Sequence, residues 1–256
     1  MTTHTPKVSF ILTTFNCADP LQQILDSIEM QDYPDIEINI KDGMSTDGTL
    51  DIINTFKAES RHQVNIESKK DLGIYDAMNQ GYELSTGDII VFCSDKLIRS
   101  DAVSHIIKTI NEAGKTCIGA HADLIYANNG TPVRIWKMGN GHIKDGWMVG
   151  HPTMYLRREI YQKYGLYKTD YRIAADYEFM ARIFKDNEDN IAYLPETIVE
   201  MSYGGTSTAT AGSYWSSLKE ANKALKENGY KFPWIISFRR TLKLFAQFLG
   251  AKFRHR

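Results

Sequence analysis

Asp42, Asp95 and Asp176 are the carboxylates whose settings in this sequence suit chemistry. Asp42 closes an alternating run and opens into Gly43-Met44-Ser45-Thr46-Asp47-Gly48, a turn of small residues that would leave its carboxylate facing a strand-end crevice. Asp95 lies in Ser94-Asp95-Lys96, directly after the apolar run Ile89–Cys93. Carboxylates at such ends can meet a ligand or hold a divalent cation. Asp42 and Asp47 equally suit Asx turns that cap the following helix, and for Asp47 that reading is preferred. Lys69-Lys70-Asp71 precedes Gly73, which permits a close backbone turn, and the helix N-terminus that follows favours anionic oxygen. Asp71 either faces that crevice or caps the helix. Asp176, in Ala174-Ala175-Asp176-Tyr177-Glu178, opens a helix and read alone is an N-cap. His151, beside Pro152, is either a positioning group or a structural donor.

The elements that must carry these residues alternate. Val8–Thr13 reads as a strand, followed by a helix with Asp19 as cap, Pro20 in the first turn, and Leu21, Ile24, Leu25 and Ile28 on one face. The unit repeats as strand Ile36–Ile40, helix Asp47–Ser60 and strand Val64–Ile66, then helix Ile74–Leu84 and strand Ile89–Cys93. The last is a continuous apolar run, as expected of a strand buried on both faces. Alternation of this kind predicts an α/β fold with a mostly parallel sheet and helices on both faces, and right-handed crossovers bring Thr13, Asp42 and Asp95 to one edge. After a helix at Ser100–Ala113 the rhythm changes. Ala122–Tyr126 and Pro132–Trp136 flank Asn128-Asn129-Gly130 as a hairpin, helices follow at Arg157–Tyr164 and Ala175–Lys185, then strands at Ile191–Leu194 and Ile198–Met201 and the flexible Gly204-Gly205-Thr206-Ser207.

Val8–Asn16, Lys41–Thr49 and Gly73-Ile74-Tyr75-Asp76-Ala77-Met78-Asn79, taken in order, resemble the nucleotide-binding half of an inverting glycosyltransferase of family 2 from polysaccharide-building bacterial systems. The resemblance runs over roughly residues 7 to 207 and implies a GT-A-like, Rossmann-type sheet with a small antiparallel acceptor-side portion and C-terminal helices. It implies that Thr13, Phe15, Asn16, Asp42, Asp71, Gly73, Ser94 and Asp95 line the site of a UDP-sugar, with Asp42 accepting the imide N–H of uracil. Asp176 then deprotonates the acceptor hydroxyl, and His151 and Lys96 lie at the acceptor or the diphosphate. Gly150-His151-Pro152-Thr153, Arg157-Arg158 and Tyr203-Gly204-Gly205 match in order and type. Three departures stand out: Thr13 replaces a proline, Lys41 replaces the first of two adjacent acids, and Lys96 replaces the acid expected to hold Mn2+ or Mg2+. The metal then falls to Asp95 or Asp101, or Lys96 itself supplies the charge, or activity is lost. Implied is transfer of a hexosyl unit to a glycan or lipid-linked acceptor with inversion, in surface polysaccharide synthesis. A binding protein that kept the fold and lost the metal acid stays open. So does a nucleotidyltransferase, although Asn16-Cys17-Ala18-Asp19 stands where that class needs a glycine-rich basic loop.

Composition sets the frame. The 256 residues, 43% hydrophobic and 24% charged, suit a globular chain divided as a nucleotide-sugar half at 1–99, an acceptor half at 100–212 and a helical, basic segment at 213–256. Three widely spaced cysteines, Cys17, Cys93 and Cys117, predict neither a disulfide framework nor zinc and fit a reducing cytoplasm. The N-terminus does not read as a signal peptide, and no run is long and apolar enough to span a bilayer. Net charge is −1, yet Lys231–Arg256 holds seven Lys or Arg and no acid, so the rest of the chain is acidic. On a helical wheel Ile235, Phe238, Leu242, Phe245 and Leu249 gather on one side, with Phe248 at its edge. Arg239, Arg240 and Lys243 lie toward the other, where Ile236 and Leu244 intrude. Such a helix either packs on the body or lies on an anionic membrane surface, which predicts a peripheral protein at the inner face of the cytoplasmic membrane. Nucleic acid is disfavoured, because the basic excess is confined to the tail.

Overall fold

The computed structural model describes residues 5–128, 130–202 and 211–252. Among them nine strands form one sheet in the order β3-β2-β1-β4-β8-β6-β9-β5, with β7 paired to β6. The strands are β1 (Val8–Thr14), β2 (Ile36–Asp42), β3 (Gln63–Ser68), β4 (Ile89–Phe92), β5 (Lys96–Leu97), β6 (Gly119–Asn128), β7 (Thr131–Trp136), β8 (Tyr155–Arg157) and β9 (Ile191–Ser202). The helices are α1 (Ala18–Glu29), α2 (Thr49–Glu59), α3 (Ile74–Leu84), α4 (Ala102–Ala113), α5 (Arg158–Tyr164), α6 (Ala175–Asn187), α7 (Ala211–Glu227) and α8 (Pro233–Lys252).

β1, β2, β3 and β4 are parallel, and the register pairs Thr14 with Asp42 and Asp42 with Ser68, so their C-terminal ends share one edge. β4 is apolar throughout and buried on both faces, as its unbroken run requires. α1 and α4 bury Leu21, Leu25 and Ile28 and Val103, Ile106 and Ile110, residues at helical spacing on single faces. The second half is mixed: β8 pairs antiparallel with β4 and with β6, and β7 with β6, while β6 and β9 run parallel.

Several expected boundaries move, each for a physical reason. α1 begins at Ala18, with Cys17 in the capping position, so Asp19 and Pro20 lie within its first turn. The donors at that end are met from across the chain, by Thr49 Oγ1 for Cys17 N and by Asp47 for Ala18 N. Ile191–Leu194 and Ile198–Met201 are one strand, β9. Its register against β6 slips where Leu194 faces Ala122 and Thr197 faces Asp123, at Pro195-Glu196, because proline has no N–H to give the ladder. β5 and β8 had no sequence signal: two and three residues are too few to show a period. Arg157 ends β8, and α5 starts one residue later than expected.

α7 and α8 do not stand apart from the sheet as a separate appendage. Ala221, Ala224 and Leu225 of α7 and Ile236 of α8 are buried in the same core as the sheet. Tyr203-Gly204-Gly205, Thr206-Ser207, Asn129 and the side chains of Leu244, Phe245, Phe248 and Leu249 lie outside the described residues.

Candidate active site

The shared edge carries a small cradle. Phe15, just past β1, is 65% exposed. Asn16 after it has φ of 46° and Met44, past β2, has φ of 65°, left-handed conformations uncommon for such residues and most often kept where a site needs them. Asn16 fixes the two loops together, donating its N–H to Ser45 Oγ and accepting from Thr46 N. Gly43 lies between Phe15 and Asp71: a Cβ there would stand 2.9 Å from Asp71 Oδ2 and 3.2 Å from the Phe15 ring. Glycine therefore keeps open the gap between an aromatic face and a carboxylate. Thr13 is half-buried in β1, opposite Lys41. Gly73, with φ of 124°, turns the chain into α3, and its N–H is accepted by Asp71 Oδ1.

Asp42 behaves differently from expectation. It is fully buried, and its carboxylate accepts from Thr14 Oγ1, Ser45 N, Ser45 Oγ and Ser68 Oγ. Burial would raise its pKa, but those donors hold it below the ordinary value. Asp42 thus faces inward and ties the ends of β1, β2 and β3. The acid at the crevice is Asp71, and Lys41 supports it. Lys41 is fully buried, donates to the carbonyl oxygens of Asp42 and Lys69, and lies 3.5 Å from Asp71 Oδ2. Asp47, as preferred, caps: it accepts from Thr49 N and Ala18 N.

Beyond β4, half-buried Asp95 accepts a 2.5 Å hydrogen bond from Ser94 Oγ. Burial with so little compensation pushes its pKa up to about 6. Lys96 is the first residue of β5, paired with Glu200 of β9. Asp101 is engaged by Arg99, with both guanidinium contacts at 2.8 Å. Among the described residues no three His, Cys, Asp or Glu side chains converge as a metal site. Asp95, a carboxylate short of hydrogen bonds, is the side chain here that would suit a divalent cation, as a single protein ligand.

α6 presents Asp176 in its first turn, with Ala174 in the capping position, so Asp176 is not the N-cap. Its Oδ1 lies 3.3 Å from the Tyr75 hydroxyl, which donates at 2.7 Å to the Ile173 carbonyl. His151 Nε2 and the Tyr167 hydroxyl are 2.7 Å apart, and the His151 ring packs on Phe92 at the end of β4. Burial lowers the His151 pKa, opposed by the nearby Asp176 charge. These contacts bring Asp176, His151 and the β4 end into one neighbourhood. Three positioning groups gave little sequence signal. Asn79 clamps the Tyr167 backbone, donating to its oxygen at 2.9 Å and accepting from its nitrogen at 3.0 Å. Tyr75 anchors Ile173. Glu220, from α7, accepts from the backbone N–H groups of Arg172, Ile173 and Ala174 and so caps α6 from outside. Tyr75 and Asn79 lie within the Gly73–Asn79 motif, where no spacing marks them as contacts, and Glu220 lies in the C-terminal segment, far in sequence from the end of α6 that it caps.

Residues 9–187 match the family described as Glycosyl transferase family 2. The PGL/p-HBAD biosynthesis glycosyltransferase of Mycobacterium bovis (strain BCG / Pasteur 1173P2) is 31% identical over 209 residues, 79% of this chain and 79% of that protein. Glycosyltransferase AglE of Haloferax volcanii is 32% identical over 135 residues, 51% of this chain and 44% of its own length. S. aureus TarS 1-349 in complex with UDP aligns with a TM-score of 0.68 over 97% of this chain and 72% of that one, at 16% identity. Mannosyltransferase PcManGT from Pyrobaculum calidifontis, in complex with GDP-Man and Mn2+, aligns at 0.62 over 93% and 69%, at 18% identity. Those two likenesses establish the fold, GT-A-like. The family match covers the parallel strands, the cradle and the helix that carries Asp176, and by it this chain belongs to glycosyltransferase family 2.

Proposed function

We propose that this protein transfers a hexosyl unit from a UDP-sugar to a glycan or lipid-linked glycan acceptor, with inversion at the anomeric carbon, in the building of a surface polysaccharide. One observation carries the reading: Tyr75, two residues past Gly73 of the cradle, donates its hydroxyl to the Ile173 carbonyl and lies 3.3 Å from Asp176 Oδ1, so the nucleotide loop and the candidate base are joined through one turn of α3. The exposed Phe15 ring offers a stacking face to a base, and Asp71 an acceptor for its N–H. TarS in complex with UDP and with UDP-GlcNAc supports a UDP-sugar as donor.

The Asp176 carboxylate takes the proton of the acceptor hydroxyl as its oxygen attacks the anomeric carbon from the face opposite the diphosphate. The bond from that carbon to the leaving oxygen breaks, and its electron pair departs with UDP. A single displacement inverts the carbon and needs no covalent intermediate. The Tyr75 hydroxyl, its proton given to the Ile173 carbonyl, lies 3.3 Å from Oδ1 of Asp176, and Oδ2 has no side-chain partner among the described residues. His151, kept neutral by burial and paired with Tyr167, orients the acceptor side. Asp95 would hold Mn2+ or Mg2+ through the donor phosphates. When bound, the cation supplies positive charge at the leaving diphosphate.

Lys96 favours a second reading, a nucleotide-sugar-binding protein without transfer. Calorimetry with UDP, followed by turnover assays on UDP-hexoses with and without Mn2+, separates the two. The transfer reading expects UDP to bind and to be released from a UDP-hexose in the presence of a glycan acceptor. Asp176→Asn should abolish release and leave UDP affinity nearly unchanged. Binding without turnover establishes the second reading, and no binding of UDP removes both.

A further inference from the structure

α8 presents two unlike faces. Toward the body, Ile236 and Ser237 are buried, Arg239 Nη1 contacts the Lys144 carbonyl and Asp145 Oδ1, and the Arg240 guanidinium lies 4.4 Å over the Tyr177 ring. Gly146, with φ of 75°, admits the helix: a Cβ there would fall 2.4 Å from Arg240 N, so no other residue lets α8 sit as close. The orientation of α8 is thereby fixed. Arg239, Arg240 and Ile236, which share one side of the wheel, are the side that α8 turns to the body, with Ile236 as the anchor.

Toward solvent, Trp234, Phe238 and Leu242 repeat every four residues and are 67%, 60% and 52% exposed. Phe232, 64% exposed, precedes them in a left-handed conformation with φ of 55°, a strain a bulky residue rarely keeps without use. Lys231 and Lys243 are exposed at the two ends of the stripe, and the sequence from Lys231 to Arg256 has no acid.

We propose that this stripe is a lipid-docking surface, in which Phe232, Trp234, Phe238 and Leu242 enter the headgroup boundary of an anionic bilayer and Lys231 and Lys243 meet its phosphates. Charge complementarity selects this occupant, since a cationic rim around apolar side chains suits an anionic interface, where Trp and Phe are favoured. A second copy of the chain fits less well. Four such side chains expose roughly 500 Å², short of the about 800 Å² per partner of a stable interface. No helix among the described residues is long and apolar enough to cross a membrane, so α8 would lie on it. The inference stands apart from the transfer reading, since it rests on α8 alone.

The test is co-sedimentation of the full chain with phosphatidylcholine vesicles, with and without phosphatidylglycerol, for the native protein and Trp234→Ser/Phe238→Ser. These side chains face solvent, so the variant should keep its melting temperature and UDP affinity, which separates loss of docking from loss of fold. Native protein should partition onto the anionic vesicles, and the double variant roughly tenfold less. Because Arg239 and Arg240 are occupied, raised salt should weaken partition only in part. Equal sedimentation of the two proteins, no sedimentation of either, or a change in oligomeric state without a change in lipid binding would overturn the proposal.

Discussion

Lys41 and Asp42 stand side by side at the end of β2 and act on different neighbours. Asp42 binds strand ends, while Lys41 is a buried cation whose nearest carboxylate is the one at the cradle, Asp71. Removing Lys41 would leave Asp71 without its positioning charge and free the Lys69 carbonyl. Lys41→Met should therefore weaken UDP and uridine alike by about tenfold, the effect of losing one buried charge-assisted contact, with turnover at saturating donor little changed and partial recovery in Lys41→Arg. Calorimetry with both ligands checks it, and unchanged uridine affinity would return Lys41 to a purely structural role. Lys96 poses the opposite question, because there a cation stands where a carboxylate would add a metal ligand. Lys96→Asp should strengthen the stabilisation of the UDP complex by Mn2+ and raise the metal dependence of transfer. Thermal melts of that complex with and without Mn2+ read this directly, and an identical response in both proteins would remove residue 96 from the diphosphate site.

α3 is the element that joins the two halves of the site. Its first turn follows the Asp71-Gly73 loop, Tyr75 reaches Ile173 and Asp176, and Asn79 grips Tyr167. α7 completes the frame from the other side through Glu220, which holds three consecutive backbone N–H groups ahead of α6. Those donors would be orphaned in Glu220→Ala, and the first turn of α6 would lose its fixed position. Because misplacement of a reacting group by a fraction of an ångström is costly, turnover should fall roughly tenfold or more while UDP affinity stays near native. Steady-state kinetics beside UDP calorimetry decides the point. Equal losses in both would mean that Glu220 supports the whole fold and has no particular hold on Asp176.

At the scale of the whole molecule the core holds a buried imidazole whose charge state couples stability to pH. His121 of β6 is fully buried, stacked on Tyr193 and edge-on to Trp147, and neither ring nitrogen has a hydrogen-bond partner among the described residues. Burial pulls its pKa down to about 4 from the ordinary 6.5. Between those values the unfolded chain takes up a proton that the native protein refuses, so the stability due to neutral His121 is complete above about pH 6.5 and is lost as pH falls toward 4. The loss would reach about 3 kcal/mol. His121→Phe, which keeps an aromatic ring against Tyr193, should flatten the decline in urea midpoint between pH 7 and pH 4.5. A native-like decline in that variant would assign the acid sensitivity to other groups.

Much of this protein was legible in its sequence, for reasons of period and local chemistry. The runs at Val8, Ile36 and Ile89 and the helices between them are long enough to show their repeats, and Ile74–Leu84 is bounded by glycine and Ser85 at the limits the structure gives. Motif order along the chain also led to the family. The tertiary structure decided what pattern does not encode: which way an end residue points. Asp42 turned inward because Thr14, Ser45 and Ser68 converge on it from three segments. Lys41 gained its role only when β2 met the loop at Asp71, and Glu220 only when α7 packed against α6. The tail follows the same rule. Its sequence determined that α8 is amphipathic and basic, but the close approach at Gly146 decided which face is spent on the body and which is left to solvent, because a helix buries the face that fits the surface it meets.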